Sequence, residues 1–330
     1  MKAIIIHRFG TPEVLELAHD HPSPVVGANQ VLLKVHAAGI NPLDWKIRQG
    51  QLRFLLGADF PIILGNDASG VIVEVGSAVT QFKAGDEVFC LLDARTKPSW
   101  TGFAKSGAYA ELAATREDTL ANKPQLMSHQ EAASVPLAAL TAYQTLRDRA
   151  KIKEGDRILI NGASGGVGLF ATQFAKILGG NVTAVCSGRN QDRVLGLGAD
   201  KVVNYKEQRI SELDEQYDIV YDVAATSSFS QCRNILTGNG VYISNIASPS
   251  GMLSTLLAPA MRIFGRKNRN GYAWVRPSGA DLKEISQLID EGKIRTVIDR
   301  AYPMEAIREV HTYSETGQAR GKLVVNISLD

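Results

Sequence analysis

Apolar and polar positions alternate in short runs up to about residue 122. Residues 2–6, 14–17, 31–37, 71–75, 87–91 and 109–113 read as strands, and Gly10, Pro12, Pro22, Pro24, Gly27, Gly65, Gly76, Gly85 and Gly107 punctuate them. Short strands at this turn spacing predict a small barrel or sandwich. Residues 41–48 hold one helical turn after Pro42. Pro124 and Ser128-His129-Gln130-Glu131 then change the pattern. Ser-x-x-Glu is a capping box that opens a helix, and helical spacing continues over 137–149, interrupted near Pro136.

Beyond Gly155 the period alternates. Residues 158–161, 182–186, 201–203, 219–223 and 240–244 are strand-like, and 167–178 and 190–197 are helical. Strand–helix alternation predicts a parallel, doubly wound sheet. Residues 272–275 read as its last strand. Leu282, Ile285, Leu288 and Ile289 form one apolar helix face, with Gly292 placed to end the helix. The tail 294–330 returns to strand-like runs, clearest at 321–327. Residues 247–271 keep no period and carry a basic cluster from Arg262 to Arg269. They read as a surface excursion or as a wall of a substrate pocket.

The stretch from Leu159 to Leu169 organises the rest. A buried strand runs into Asn161-Gly162-Ala163-Ser164-Gly165-Gly166-Val167-Gly168, and a helix follows. Gly162, Gly165 and Gly168 are three apart, a variant of the dinucleotide fingerprint. A pyrophosphate must approach the backbone closely, and a Cβ would block it. The helix start adds unpaired N–H groups and a positive dipole end. Ser164, Gly165, Gly166 and Val167 are therefore candidate cofactor-binding residues.

Composition narrows the classes. At 330 residues two domains are expected. A net charge of +2 carries no nucleic-acid footprint. Cys90, Cys186 and Cys232 are distant and odd in number, which fits a reducing, cytoplasmic setting. Residues 1–6 are too short for a signal-peptide core, and no run has the apolar length of a membrane span.

Taken together, several motifs resemble the medium-chain dehydrogenase/reductase superfamily, in its zinc-independent quinone oxidoreductase and enone reductase branch. They are Ala38-Gly39-Ile40-Asn41-Pro42-Leu43-Asp44, Val73-Glu74-Val75-Gly76 and Phe82-Lys83-Ala84-Gly85-Asp86-Glu87-Val88. Gly107-Ala108-Tyr109-Ala110-Glu111, Leu140-Thr141-Ala142-Tyr143, Leu197-Gly198-Ala199-Asp200 and Arg320-Gly321-Lys322-Leu323-Val324-Val325 complete the set. The resemblance spans nearly the whole chain. It implies an α/β protein in which a doubly wound, Rossmann nucleotide domain (124–292) is inserted into a chaperonin-10-like β-barrel domain (1–123 plus 293–330). It also implies an active site in the cleft and a homodimer.

The resemblance also bears on the metal and the cofactor. Zinc-using relatives carry a Cys where this chain has Asn41 and Gly-His-Glu where it has Gly65-Asn66-Asp67. Leu137 occupies the place of a third ligand. Asn is a poor zinc ligand, and Asp44 with Asp67 would not hold zinc well, so no metal is expected. For the nicotinamide, the second strand of the nucleotide domain ends in Ser187-Gly188-Arg189-Asn190, with no acid before Asp192. An NAD-preferring site places an acid there. Ser187 can donate to a phosphate, and Arg189 offers a fork for two of its oxygens. Tyr205 matches a tyrosine that relatives use nearby. NADPH is the expected cofactor.

By the same resemblance, Asn41 and Thr141 lie beside the nicotinamide and its ribose, Lys322 lies near the cofactor, and Asn245 and Ile246 meet the carboxamide. Asn41, Asp44 and Thr141 are the candidate catalytic residues. Many quinone reductases carry a Tyr shortly after Ile-Arg-x-Gly. Here Ile47-Arg48-Gln49-Gly50 runs into Gln51-Leu52-Arg53-Phe54, without a phenol. The expected reaction is hydride transfer from NADPH to a quinone or to the C=C of an α,β-unsaturated carbonyl. Three alternatives stay open: an enzyme of the same family acting on other carbonyls, a zinc-type alcohol dehydrogenase, and a non-catalytic NADPH-binding sensor or structural protein.

Overall fold

The structure is a computed structural model, and it describes residues 1–53, 60–93, 107–246 and 269–328. Phe54 and most of the aperiodic stretch, residues 247–268, lie outside the described residues. The chain divides into two compact units, 1–140 with 276–330, and 141–275.

The first unit is built on the long strand Gln30–Ile40. Its Val, Leu and Ala residues are buried over most of its length, so it pairs on both edges. Asp67–Val75 runs antiparallel along one edge. The other edge pairs with Leu112–Arg116 at one end and Lys322–Asn326 at the other. Glu87–Leu91, Leu120–Asn122 and the strand Ile298–Pro303 extend this seven-stranded sheet. Ala3–Ile6, Glu16–Ala18 and Ile62–Ile63 form a second, three-stranded sheet. One apolar core, including Ile4, Leu33, Val35, Ile72, Val88, Tyr109 and Val325, lies within this unit.

The second unit is the expected doubly wound domain. Six parallel strands lie in the order Lys201–Asn204, Asn181–Cys186, Arg157–Asn161, Tyr217–Asp222, Leu236–Ser244, Arg269–Tyr272. Ile158, Leu159 and Ile160 are fully buried, as a central parallel strand covered on both faces requires. The direction of strand addition reverses between Arg157–Asn161 and Tyr217–Asp222, where open α/β sheets bind ligands.

Four boundaries differ from the sequence reading. The tail contains the helix Ile307–Glu315, whose Ile307, Val310 and His311 turn one face inward at helical spacing. The last strand of the parallel sheet is Arg269–Tyr272 rather than 272–275. The strand expected at 109–113 lies at Leu112–Arg116, which leaves Tyr109 free to point its phenol into a polar cluster. Finally, the helix Gly279–Asp290 packs closely on Leu120–Asn122. A Cβ on Gly279 would come within 2.2 Å of the Leu120 carbonyl, and Ser286 donates to the Asn122 carbonyl. The helix thus lies in the first unit, and the units divide at 140/141 and 275/276 rather than 123/124 and 292/293.

Candidate active site

In the first unit, strand register assembles a buried polar cluster. Ile40 pairs with Leu323, and Gly39 with Asp67. Asn41, Asp67 and Lys322 therefore meet at one end of three neighbouring strands. Gly39 is required there: a Cβ would fall 2.3 Å from the Ala133 carbonyl oxygen and 2.9 Å from Asp67 Cβ. Asn41 is 2% exposed, Lys322 4% and Asp67 0%. Lys322 Nζ donates to Asn41 Oδ1 at 2.5 Å, and Asn41 Nδ2 donates to Asp67 Oδ2 at 2.9 Å. The ammonium lies 3.5 Å from the same carboxylate oxygen. Asp67 Oδ1 accepts from the Leu137 backbone N–H at 2.7 Å.

Asn41 also starts the helix Pro42–Arg48, with Pro42 in its first turn. Asp44 reaches back to the Asn41 backbone N–H at 2.7 Å, the return half of a capping box. Its carboxylate accepts two further hydrogen bonds, from Asn66 Nδ2 at 2.9 Å and from the Tyr109 hydroxyl at 2.8 Å. Complete burial pushes the Asp44 carboxyl up to about 6, against these three donors. Burial raises Asp67 as well, opposed by Lys322. The far end of the helix is braced by Arg48, a buried guanidinium paired with Glu315. Gln49 Nε2 also donates to Glu315, at 3.1 Å. His311, on the same helix as Glu315, meets the Tyr109 ring edge-on at 5.9 Å.

In the second unit, the turn after Arg157–Asn161 is as tight as its glycines imply. Gly162 has φ +86°. A Cβ on Gly168 would fall 2.1 Å from the Gly162 carbonyl oxygen. Gly165 caps the helix Gly166–Ile177, whose first N–H groups have no partner within the helix. Ser164, Gly165, Gly166 and Val167 are only half-buried. The neighbouring loop is held by buried Asp222, which accepts from Asn161 Nδ2 at 2.7 Å, the Ser227 N–H at 2.8 Å and the Tyr242 hydroxyl at 2.9 Å. The Asn245 backbone N–H donates to the Asp222 carbonyl at 3.3 Å, and its Oδ1 accepts from the Tyr221 hydroxyl at 2.8 Å. Ile246 follows, half-exposed.

At the end of Asn181–Cys186, Ser187 is buried and receives Asn190 Nδ2 at 3.2 Å, while Arg189 points to solvent. Asn190 Oδ1 is buried and has no hydrogen-bond partner among the described residues, an acceptor open to a hydroxyl or amino group. Tyr205, just past the neighbouring strand Lys201–Asn204, is exposed. The open glycine cradle, the helix start and this orphaned acceptor fit a nicotinamide dinucleotide. Ser164–Val167 would hold its pyrophosphate, and the Ser187–Asn190 loop its adenosine end.

The cluster around Asn41 does not fit a catalytic zinc. The Asn41 oxygen already accepts from an ammonium, and a cation there would face Lys322 directly. Asn66 Nδ2 is committed to Asp44, and an amide oxygen is a poor zinc ligand. Among the described residues no group of three His, Cys, Asp or Glu side chains is placed to hold a metal.

The structure thus gathers Asn41, Asp44 and Lys322 in one network, and Ser164–Val167, Ser187, Arg189 and Tyr205 at neighbouring strand ends of one sheet. Thr141 is buried in the helix Pro136–Gln144. Sequence reasoning did not reach Tyr109, which it assigned to a strand, nor a role for Asp67 and Asn66 beyond that of poor zinc ligands. The signal for Tyr109 was its motif, Gly107-Ala108-Tyr109-Ala110-Glu111.

A barrel-type unit with a polar cluster and a doubly wound unit with a dinucleotide turn define a nicotinamide-dependent oxidoreductase. Two family models match the chain, one for the GroES-like domain of alcohol dehydrogenases over residues 27–125 and one for zinc-binding dehydrogenases over residues 197–325. Human mitochondrial NAD(P)H oxidoreductase RTN4IP1 is 33% identical, over 99% of this chain and 89% of that protein. The chloroplastic NADPH-dependent alkenal/one oxidoreductase of Arabidopsis thaliana is 32% identical, over 98% and 79%. The solved quinone oxidoreductase of Coxiella burnetii superposes with a TM-score of 0.87 at 33% identity, covering 99% of each chain. The chain belongs to the medium-chain dehydrogenase/reductase superfamily, and it is an oxidoreductase.

Proposed function

We propose that this protein is an NADPH-dependent, zinc-independent reductase that transfers hydride to quinones or to the C=C of α,β-unsaturated carbonyls. The observation that carries the reading is the Asn41–Asp67–Lys322 cluster. It sets an amide and an ammonium where a Lewis acid would need anionic or imidazole donors. A Lewis acid activates an alcohol for oxidation by lowering the pKa of its hydroxyl. A quinone or an enone is already polarised and needs only hydrogen-bond donors for the charge that collects on its oxygen. The reduced nicotinamide, when bound, supplies the hydride.

The chain's own residues bind and orient. Ser164, Gly165, Gly166 and Val167 take the pyrophosphate. Ser187, Arg189 and Tyr205 take the 2′-phosphate, a reading supported by the exposed guanidinium and by the missing acid at the strand end. Asn41, Thr141, Lys322, Asn245 and Ile246 serve the nicotinamide end. Asp44 holds the start of the helix that Asn41 caps. The cysteines are all buried and unpaired, which favours a reducing, cytoplasmic setting, and the proposed assembly is a homodimer. Among the described residues no helix is long and apolar enough to cross a membrane.

The test is NADPH consumption over a panel of benzoquinones, enals and enones, with product identification and metal analysis of the same sample. Turnover by zinc-free protein with a saturated carbonyl or hydroquinone as product is the expected result. Tight NADPH binding with no oxidation would favour a nucleotide-binding sensor. Stoichiometric zinc with chelator-sensitive alcohol oxidation would favour a zinc alcohol dehydrogenase.

A further inference from the structure

Asp67 has no part in the hydride transfer proposed above, yet it touches both Asn41 and Lys322. It is the first residue of the strand Asp67–Val75 and is completely buried. One carboxylate oxygen is committed to the Leu137 N–H. The other accepts from Asn41 Nδ2 and faces the Lys322 ammonium, which in turn donates to Asn41 Oδ1. Carboxylate, carboxamide and ammonium close a three-membered ring of contacts.

The chemistry of the three groups allows only one arrangement. A carboxylate accepts and an ammonium donates, so the carboxamide between them must turn its NH2 to Asp67 and its oxygen to Lys322. A flipped amide would set donor against donor and acceptor against acceptor. The ammonium is almost completely buried, which is costly without an anion beside it. Once the ring is closed, Asn41 and Lys322 each keep one N–H with no partner among the described residues.

We propose that Asp67 is a positioning residue: it seats the Lys322 ammonium and fixes the direction of the Asn41 carboxamide, so that the remaining N–H of each points in one defined direction. This rests on the reading that Asn41 and Lys322 serve the nicotinamide end of the cofactor. Asp67 itself touches neither cofactor nor substrate and acts through these two side chains.

The test compares Asp67→Asn with the swap Asn41→Asp/Asp67→Asn in the full chain. Asp67→Asn removes the anion and leaves two amides to compete for one orientation. The swap moves the carboxylate one partner along the ring, where it accepts from Lys322 and from the new amide at position 67. That amide can still accept from the Leu137 N–H. The first readout is the side-chain ammonium resonance of Lys322 in nitrogen-15 NMR, assigned by its loss in Lys322→Met. It should vanish in Asp67→Asn and return in the swap. The second is the pH profile of kcat/KM for NADPH. Its alkaline limb should move to lower pH in Asp67→Asn, because the anion beside the ammonium is gone. A carboxylate that served folding alone would lower the yield of active protein without moving that limb.

An unchanged resonance and limb in Asp67→Asn, or a swap that does not restore the resonance, overturns the proposal. If Asp67→Asn does not fold, Asp67→Asn/Lys322→Met removes both charges and should fold. Failure of that double variant also overturns it. The resonance needs no turnover. Protein that oxidises no NADPH would therefore sink the functional reading while leaving the role of Asp67 separately testable.

Discussion

The Tyr109 hydroxyl donates to Asp44 Oδ2 at 2.8 Å across 65 residues of sequence, with both side chains completely buried. The bond joins the region before Leu112–Arg116 to the start of the Pro42–Arg48 helix. It also supplies one of three donors that keep a buried carboxylate tolerable. Tyr109→Phe removes that donor without changing shape. It should cost roughly 1.5–3 kcal/mol at neutral pH, the range for hydrogen bonds to charged groups, read by urea denaturation. A loss below about 0.5 kcal/mol would mean that the carboxylate does not depend on the phenol.

The same carboxylate sets one pH limb of stability. Folding raises the Asp44 carboxyl from 3.8 to about 6. Between these values the folded chain binds more protons than the unfolded chain, so stability falls as pH rises through this window. The cost is absent below the lower value, is complete above the upper one, and amounts to roughly 3 kcal/mol. Asp44→Asn should flatten this limb in denaturation curves taken from pH 4 to 7.

His311 acts in the opposite direction. It is completely buried, and neither ring nitrogen has a hydrogen-bond partner among the described residues. Burial, with Arg48 nearby, lowers its imidazole from 6.5 to about 3. The unfolded chain binds the proton first as pH falls, so stability is complete above 6.5 and is lost progressively towards 3. His311→Phe keeps a flat ring and has nothing to protonate. It should move the acid-unfolding midpoint to lower pH by about half a unit or more. An unchanged midpoint would show that other groups carry acid unfolding.

Arg189→Ala tests the cofactor preference. Removing a fork that binds a phosphate costs about 1.5–3 kcal/mol, or roughly 10- to 100-fold in Kd. That loss should fall on NADPH and spare NADH in direct titrations. An equal loss for both would remove the case for the 2′-phosphate.

Ala225 sits in the loop behind Asp222 with φ +53°, a left-handed conformation that strains any residue with a Cβ. Ala225→Gly should relieve about 1 kcal/mol and raise Tm, offset in part by the entropy of a more flexible unfolded chain. A lower Tm would mean that the methyl group packs usefully.

The resemblance to curated oxidoreductases agrees with what the residues implied, but the two units differ in how much the sequence disclosed. The parallel sheet, the Gly162–Gly168 turn and the acid-free end of Asn181–Cys186 were legible because each is a local pattern. Apolar runs, glycine spacing and a missing acid lie within a few residues of one another. The capping box at Ser128 was legible for the same reason. The helix Ile307–Glu315 was not, because its inward face mixes Ile307 and Val310 with a histidine that only its surroundings bury.

The polar cluster was decided elsewhere. Asn41, Asp67 and Lys322 were each visible as single residues, but 281 positions separate the first from the last. Their meeting depends on the register of antiparallel strands, which places Ile40 opposite Leu323 and Gly39 opposite Asp67. Register is fixed by the whole set of side chains that a sheet buries, and a slip of one residue would turn every partner to the other face. The amino-acid order alone thus determined that a glycine turn opens a helix at Gly162–Gly168 and that asparagines stand at positions 41 and 66. Only the folded sheet determined that an amide, a carboxylate and an ammonium would share one buried site.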